Sequence, residues 1–176
     1  MTKALVIVDV QEGMFAFPEL KPHDGEGVVV RIAELIARAR TAGAPVFYVQ
    51  HDGGPGDELE AGKPGFAYRA AIAPTPTDDV TVKRHGSAFK ATDFDAKLRG
   101  AGIDHLVICG MQSEYCIDAA VRGAVERSYA VTLVADGHST FDSPVLTAQD
   151  IIAHENETLN GSYAFVRPAA EIRFED

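Results

Sequence analysis

Six short apolar runs, each separated from the next by a longer stretch, set the architecture open to this chain. Ala4–Val8 is unbroken and stops at Asp9, and Pro45–Val49 is a second run. Val80–Val82, ending at Lys83, is a short third, and His105–Cys109, followed by Gly110, a fourth. Ala130–Val134, ending near Asp136, is a fifth, and Tyr163–Val166 a sixth. A strand with one wet face alternates apolar and polar residues, whereas a strand covered on both faces reads as a continuous run. Between the runs lie helical spacings. Val28, Ile32, Leu35, Ile36 and Ala39 repeat from Val28 to Ala42, with Gly43 as a C-cap. Asp93–Arg99 carries Phe94 and Leu98 and is ended by Gly100 or Gly102. Ser113–Arg127 carries Ile117, Ala120, Val121, Ala124 and Val125 on one face. Thr147–Leu159 carries Ile151 and Ile152, with Thr147 as N-cap. Strand–helix repetition of this kind predicts an α/β fold, an open, mostly parallel sheet with helices on both faces, in a single domain over 1–176.

Charge narrows the partners. With 16 Lys+Arg against 26 Asp+Glu, the 176 residues carry a formal charge of −10, which repels phosphate backbones and anionic lipid surfaces. No nucleic acid and no membrane are expected as partners. Two cysteines cannot staple a fold of this size, so reduced thiols and a cytoplasmic location are expected. The chain opens Met-Thr-Lys and runs directly into its first apolar segment, which is too short for a signal h-region or a membrane span.

The segment Asp52–Asp79 is rich in Gly and Pro and shows little periodicity. Long loops in compact domains are functional or disordered, and this one reads either as a lid or pocket wall, or as an ordinary surface loop. Gly53-Gly54-Pro55-Gly56 has neither the Lys-Ser/Thr of a phosphate loop nor dinucleotide-binding spacing.

In open α/β sheets ligands gather beyond the carboxyl ends of the strands. The polar residues there are Asp9, Gln50 and His51, Lys83, Cys116, and Asp136 with His138. Gly110-Met111-Gln112-Ser113 turns strand into helix, with Ser113 available as N-cap and Cys116 in the first helical turn. There the helix dipole is expected to lower a thiol pKa, and free backbone donors suit an oxyanion. Cys109 ends an apolar strand and reads as a small buried hydrophobe. Asp9 is expected to be desolvated and raised in pKa unless Lys83 answers it; the simpler reading is that Asp9 caps the following turn. Together with Cys116 the two form a Cys/Asp/Lys nucleophilic set.

Asp9-Val10-Gln11, Lys83, Gly110-Met111-Gln112-Ser113-Glu114-Tyr115-Cys116 and Val134-Ala135-Asp136-Gly137-His138-Ser139-Thr140 resemble the signature of the isochorismatase-like cysteine hydrolases. The resemblance covers nearly the whole chain. It implies a three-layer α/β/α sandwich around a six-stranded, mostly parallel sheet, and, in the amidase branch, a catalytic triad at Asp9, Lys83 and Cys116. It also implies a non-proline cis peptide at Met111–Gln112, aiming the N–H groups of Gln112 and Cys116 into an oxyanion hole. Family members are usually dimers or tetramers, so a homodimer or higher homo-oligomer is expected.

Isochorismatases proper lack the cysteine, and nicotinamidases add a metal site built from further histidines after the second strand. Here that region reads Gln50-His51-Asp52-Gly53-Gly54-Pro55-Gly56, which does not supply three ligands. The expectation is therefore no cofactor, no metal, and an amidase that cleaves a C–N bond of a small amide-type substrate through a thioester on Cys116. A nicotinamidase-like or isochorismatase-type hydrolase, or an idle binding member of the family, is the alternative. A redox pair of Cys109 and Cys116 fails, because the two do not form a Cys-x-x-Cys arrangement. Phe15, Phe17, His51, Phe66, Phe89 and Tyr115 lie near the strand ends and are expected to line the substrate pocket. Asp136, His138 and Thr140 are expected to stabilise the turn after the fifth strand.

Overall fold

The computed structural model describes residues 1–175. Its strands are β1 (Lys3–Val8), β2 (Val46–His51), β3 (Asp79–Lys83), β4 (His105–Met111), β5 (Ala130–Ser139) and β6 (Phe165–Arg167). Its α-helices are α1 (Gly25–Thr41), α2 (Phe94–Gly100), α3 (Asp118–Val125) and α4 (Ala148–Leu159). All six strands run parallel in one sheet of order β3-β2-β1-β4-β5-β6.

In the inner strands the apolar runs are continuous because both faces are covered, whereas the edge strands β3 and β6 leave Val82 and Phe165 exposed. Ala4, Val6 and Val8 of β1 pack with Phe94 and Leu98 of α2, Ala120, Val121 and Ala124 of α3, and Leu159 of α4. Leu5 and Ile7, the alternating neighbours, pack on the opposite face with Val28, Ile32, Leu35 and Ala39 of α1 and with Ile172 and Phe174. Gly43 closes α1 at φ 70°, its N–H donating to the Arg40 carbonyl. Thr147 caps α4, its side chain accepting from the Asp150 N–H.

Four spans differ from the sequence expectation. The sixth run, expected over Tyr163–Val166, is a strand only over Phe165–Arg167, with Tyr163 in the preceding turn. Strand β4 continues through Gly110 and Met111, where Gly110 adopts φ 130° and a Cβ would collide with the Val8 backbone. Only glycine allows β1 and β4 to approach this closely at their carboxyl ends. Strand β5 does not stop near Asp136. Its pairing slips between Ile108 and Gly110, and the register resumes at His138 and Ser139, so extra residues are looped out as a bulge that re-aims the strand end. The helix expected over Ser113–Arg127 begins as a π-helical turn, Ser113–Ile117, before α3. No helix among the described residues is long and apolar enough to cross a membrane.

Candidate active site

Strand order reverses at β1, which leads through α1 to β2 on one side and pairs with β4 on the other. A crevice opens at such a switch point. Asp9 leaves β1 with φ 53° and Lys83 ends β3, while the turn after β4 brings Cys116. Lys83 Nζ lies 2.6 Å from Asp9 Oδ2. It also donates to Cys116 Sγ at 3.2 Å and to the His85 carbonyl at 3.1 Å. A fourth neighbour, His51 Nδ1, is 3.2 Å away. A charged ammonium has protons but no acceptor, so Nδ1 faces it as a lone pair and His51 carries its proton on Nε2. Among the described residues neither Asp9 oxygen accepts a hydrogen bond from the following turn, so the turn-capping reading of Asp9 does not hold.

Electrostatics follow from burial. Desolvation raises the Asp9 carboxyl above its ordinary range, and the adjacent Lys83 ammonium pulls against it. Burial and then the Asp9 charge push the Cys116 thiol up to about 12, with Lys83 opposing. This reverses the expectation of a thiol lowered by a helix dipole. Cys116 lies in a π turn closed by the Ile117 N–H on the Gln112 carbonyl, enclosed beside the Asp9 carboxyl. His51 is shifted down by burial and by Lys83.

The Met111–Gln112 peptide is cis, and the Gln112 backbone N–H has no hydrogen-bond partner among the described residues. Ser113 does not cap. Its Oγ bonds His138 Nδ1 at 2.8 Å, and His138 Nε2 meets Asn156 Oδ1 at 3.0 Å, while Asn156 Nδ2 donates to the Ala135 carbonyl at 3.0 Å. With Asn156 Oδ1 accepting, His138 carries its proton on Nε2 and accepts from Ser113. Thr140 Oγ1 donates to Glu114 Oε1 at 2.9 Å. The bulge in β5 thus delivers His138 and Thr140 to the turn that carries Cys116. Asp136 instead ties down the C-terminal segment, its Oδ1 accepting from the Ala169 N–H at 2.6 Å.

A cavity of about 650 Å³ opens onto this group, lined by Asp9, Cys116, Gln112 and His51. Of the expected pocket residues, Phe17, His51 and Tyr115 line it, and Phe15, Phe66 and Phe89 do not. Phe15 turns under Arg69, whose guanidinium carbon is 4.5 Å from the ring centre, because the 3-10 turn Glu12–Phe15 sends Met14 into the cavity instead. Phe66 contributes its carbonyl, which accepts from Gln11 Nε2 at 2.9 Å and Gln50 Nε2 at 2.7 Å. Phe89 is core, 5.1 Å from Phe94 between ring centres. Sequence reading missed Met14, Leu20, Leu59 and Phe141, which complete the apolar wall. It also assigned no role to Gln11, whose Oε1 accepts from the His51 N–H at 2.8 Å while Nε2 donates to the His51 carbonyl at 3.0 Å. Phe141, just past the end of β5, had a legible signal in its position; Leu59, in an aperiodic loop, had none. The long loop forms wall, through Gly56–Leu59, and is pinned by the Arg69 N–H on the Val10 carbonyl and by Tyr68 Oη on the Val49 carbonyl.

Among the described residues no group of three or more His, Cys, Asp or Glu side chains is placed to hold a metal ion. Asp52 instead accepts from Arg84, Gly54 and Ala61.

The isochorismatase domain family matches residues 3–152. A streptothricin hydrolase of Streptomyces noursei is 38% identical over 142 residues, covering 81% of this chain and 51% of that protein, so the chain spans about half that enzyme's length. A ureidoacrylate amidohydrolase of Methylobacterium radiotolerans is 30% identical over 172 residues, covering 77% of this chain and 66% of that protein. The crystal structure of a cysteine hydrolase from Pseudomonas syringae pv. phaseolicola superposes with a TM-score of 0.90 at 25% identity, covering 97% of this chain and 90% of that one.

Proposed function

The chain belongs to the isochorismatase family of hydrolases, and from that premise we propose that it is a cysteine amidase, hydrolysing a C–N bond of a small amide through a thioester on Cys116. The observation that carries this reading is the placement of one buried ammonium, Lys83, against both the Asp9 carboxylate and the Cys116 sulfur. The amidohydrolase among the relatives supports the bond type.

Asp9, made more basic by burial, takes the proton of Cys116. Lys83 stays charged and balances the negative charge as it moves from carboxylate to sulfur. The thiolate attacks the amide carbonyl, and the N–H groups of Gln112 and Cys116 receive the oxyanion. One such donor is typically worth about 10²–10³ in rate. Asp9 returns its proton to the departing nitrogen, the C–N bond breaks and a thioester remains. Water, its proton taken by Asp9, then attacks the thioester; the acid leaves and Cys116 regains its proton. His51, neutral and beside Lys83, lines the site without entering the proton path.

The test is a screen for ammonia and amine release over small amides, with and without chelator, run on the native chain and on Cys116→Ala. Chelator-resistant release that vanishes in Cys116→Ala is expected; release undiminished in that variant removes Cys116 as the nucleophile.

A further inference from the structure

The charges around the cavity are one-sided. Its wall includes Asp9, Asp57 and Glu58, and no lysine or arginine lines it among the described residues. Lys83 is fully buried behind the wall, paired with Asp9, so those two cancel. No ion pair engages Asp57 or Glu58 among the described residues: Arg84 pairs with Asp52, and Lys63, which sits on the Asp57 carbonyl at 3.2 Å and is felt by both carboxylates, is paired with Glu60. One lysine among three carboxylates leaves the segment Asp57–Lys63 net negative. Asp57 Oδ1 accepts the Leu59 N–H at 2.7 Å, which holds the carboxylate to the loop. Its charge reaches far enough to act on His51. His51, the one basic side chain in the wall, is shifted toward its neutral form, so it offers an anion an Nε2–H donor at most and no opposing charge. The remaining wall is apolar and aromatic, with Phe17, Tyr115 and Phe141; aromatic faces attract cations and do not bind carboxylates.

We propose that this cavity selects amides bearing a cationic group, an ammonium or a guanidinium, and rejects carboxylate-bearing amides, with Asp57 and Glu58 as the specificity-determining residues. The proposal rests on the reading of Cys116 as the nucleophile. A cleft lined by one sign of charge concentrates the opposite sign, with rate effects of about 10–10³ that fall as salt screens them.

Two thiol reagents of similar size and opposite charge test this without a known substrate: aminoethyl methanethiosulfonate, a cation, and sulfonatoethyl methanethiosulfonate, an anion. Each transfers its thioalkyl group to a thiol and releases methanesulfinate. Rates at Cys116, mapped by mass spectrometry, are divided by the rate of the same reagent with mercaptoethanol. The expected result is a preference for the cation of at least about tenfold, shrinking in about 1 M salt and in Asp57→Asn/Glu58→Gln, which keeps the acceptor for Leu59. Equal normalised rates, or preference for the anion, overturn the proposal while leaving Cys116 a reactive thiol. A preference that survives intact in the double variant removes the assignment to Asp57 and Glu58. Silence of Cys116 toward both reagents overturns the nucleophile reading, and the substrate class falls with it.

Discussion

The Lys83 ammonium stands 2.6 Å from the Asp9 carboxylate, and both side chains are completely withdrawn from solvent. A buried pair of this kind is costly to form, and removing one partner leaves the other uncompensated. Lys83→Met is therefore expected to cost about 3–5 kcal/mol of stability at neutral pH. The sign of its pH dependence follows from Asp9. Desolvation already raises the carboxyl, and without Lys83 its main opponent is gone, so the folded state holds the Asp9 proton more tightly than the unfolded chain does. The variant should be least impaired in acid and lose stability as pH rises through the folded value. Urea denaturation at a series of pH values measures this; a loss independent of pH would contradict it.

The two cysteines should separate cleanly. Cys109 is fully buried, its thiol raised by desolvation alone, with Sγ 3.6 Å from the Val6 carbonyl. Cys116 lines the cavity beside a carboxylate that can take its proton. Iodoacetamide should label Cys116 in the native protein and reach Cys109 only on unfolding. Peptide mapping that finds Cys109 labelled first would reverse the assignment.

Asp9 should write the acid limb of the rate profile. Its carboxyl is raised above the ordinary 3.8, and the proposed mechanism needs the base form to accept the thiol proton. kcat/KM for any amide found in the screen should rise with pH through a value above that of an ordinary carboxylate. Asp9→Asn should lose this limb and run about 10²–10⁴-fold slower. A rate flat across mildly acidic pH would place the base elsewhere.

His138 braces the turn that carries Cys116 through Ser113 and Asn156. Removing it as His138→Ala leaves buried partners unsatisfied, at about 1–3 kcal/mol, and should slow alkylation of Cys116. Burial holds His51, His105 and His138 below the ordinary 6.5. The unfolded chain therefore binds protons more readily than the folded one. Stability tied to these residues is fully present above 6.5 and is lost as pH falls from there through the folded values. Tm should drop on acidification below 6.5, and more shallowly in His138→Ala; an unchanged slope would show that His138 does not titrate on unfolding.

The fold was legible because each inner strand announces itself. A strand covered on both faces has no polar position, so Ala4–Val8 and His105–Cys109 needed no context to be read. The places of Asp9, Lys83 and Cys116 were legible for a related reason: in a parallel sheet every strand's carboxyl end lies on one edge, so the residue that stops an apolar run is delivered to that edge. The continuation of β5 was not legible, because the bulge that carries His138 toward Ser113 depends on pairing with Gly110 and Met111 of another strand.

What residue order alone decided was the sheet, its two covered faces and the edge on which carboxylate, ammonium and thiol meet, since those follow from local periodicity and strand direction. Tertiary structure decided the chemistry of that edge. A thiol's pKa depends on what encloses it, and the Cys116 thiol is held up to about 12 by burial and by Asp9, which lies far away along the chain. Likewise Phe15 and Phe89 are indistinguishable from Phe17 in sequence, yet only Phe17 reaches the cavity. An aromatic ring's destination is set by the neighbours that compete to bury it, Arg69 in one case and Phe94 in the other.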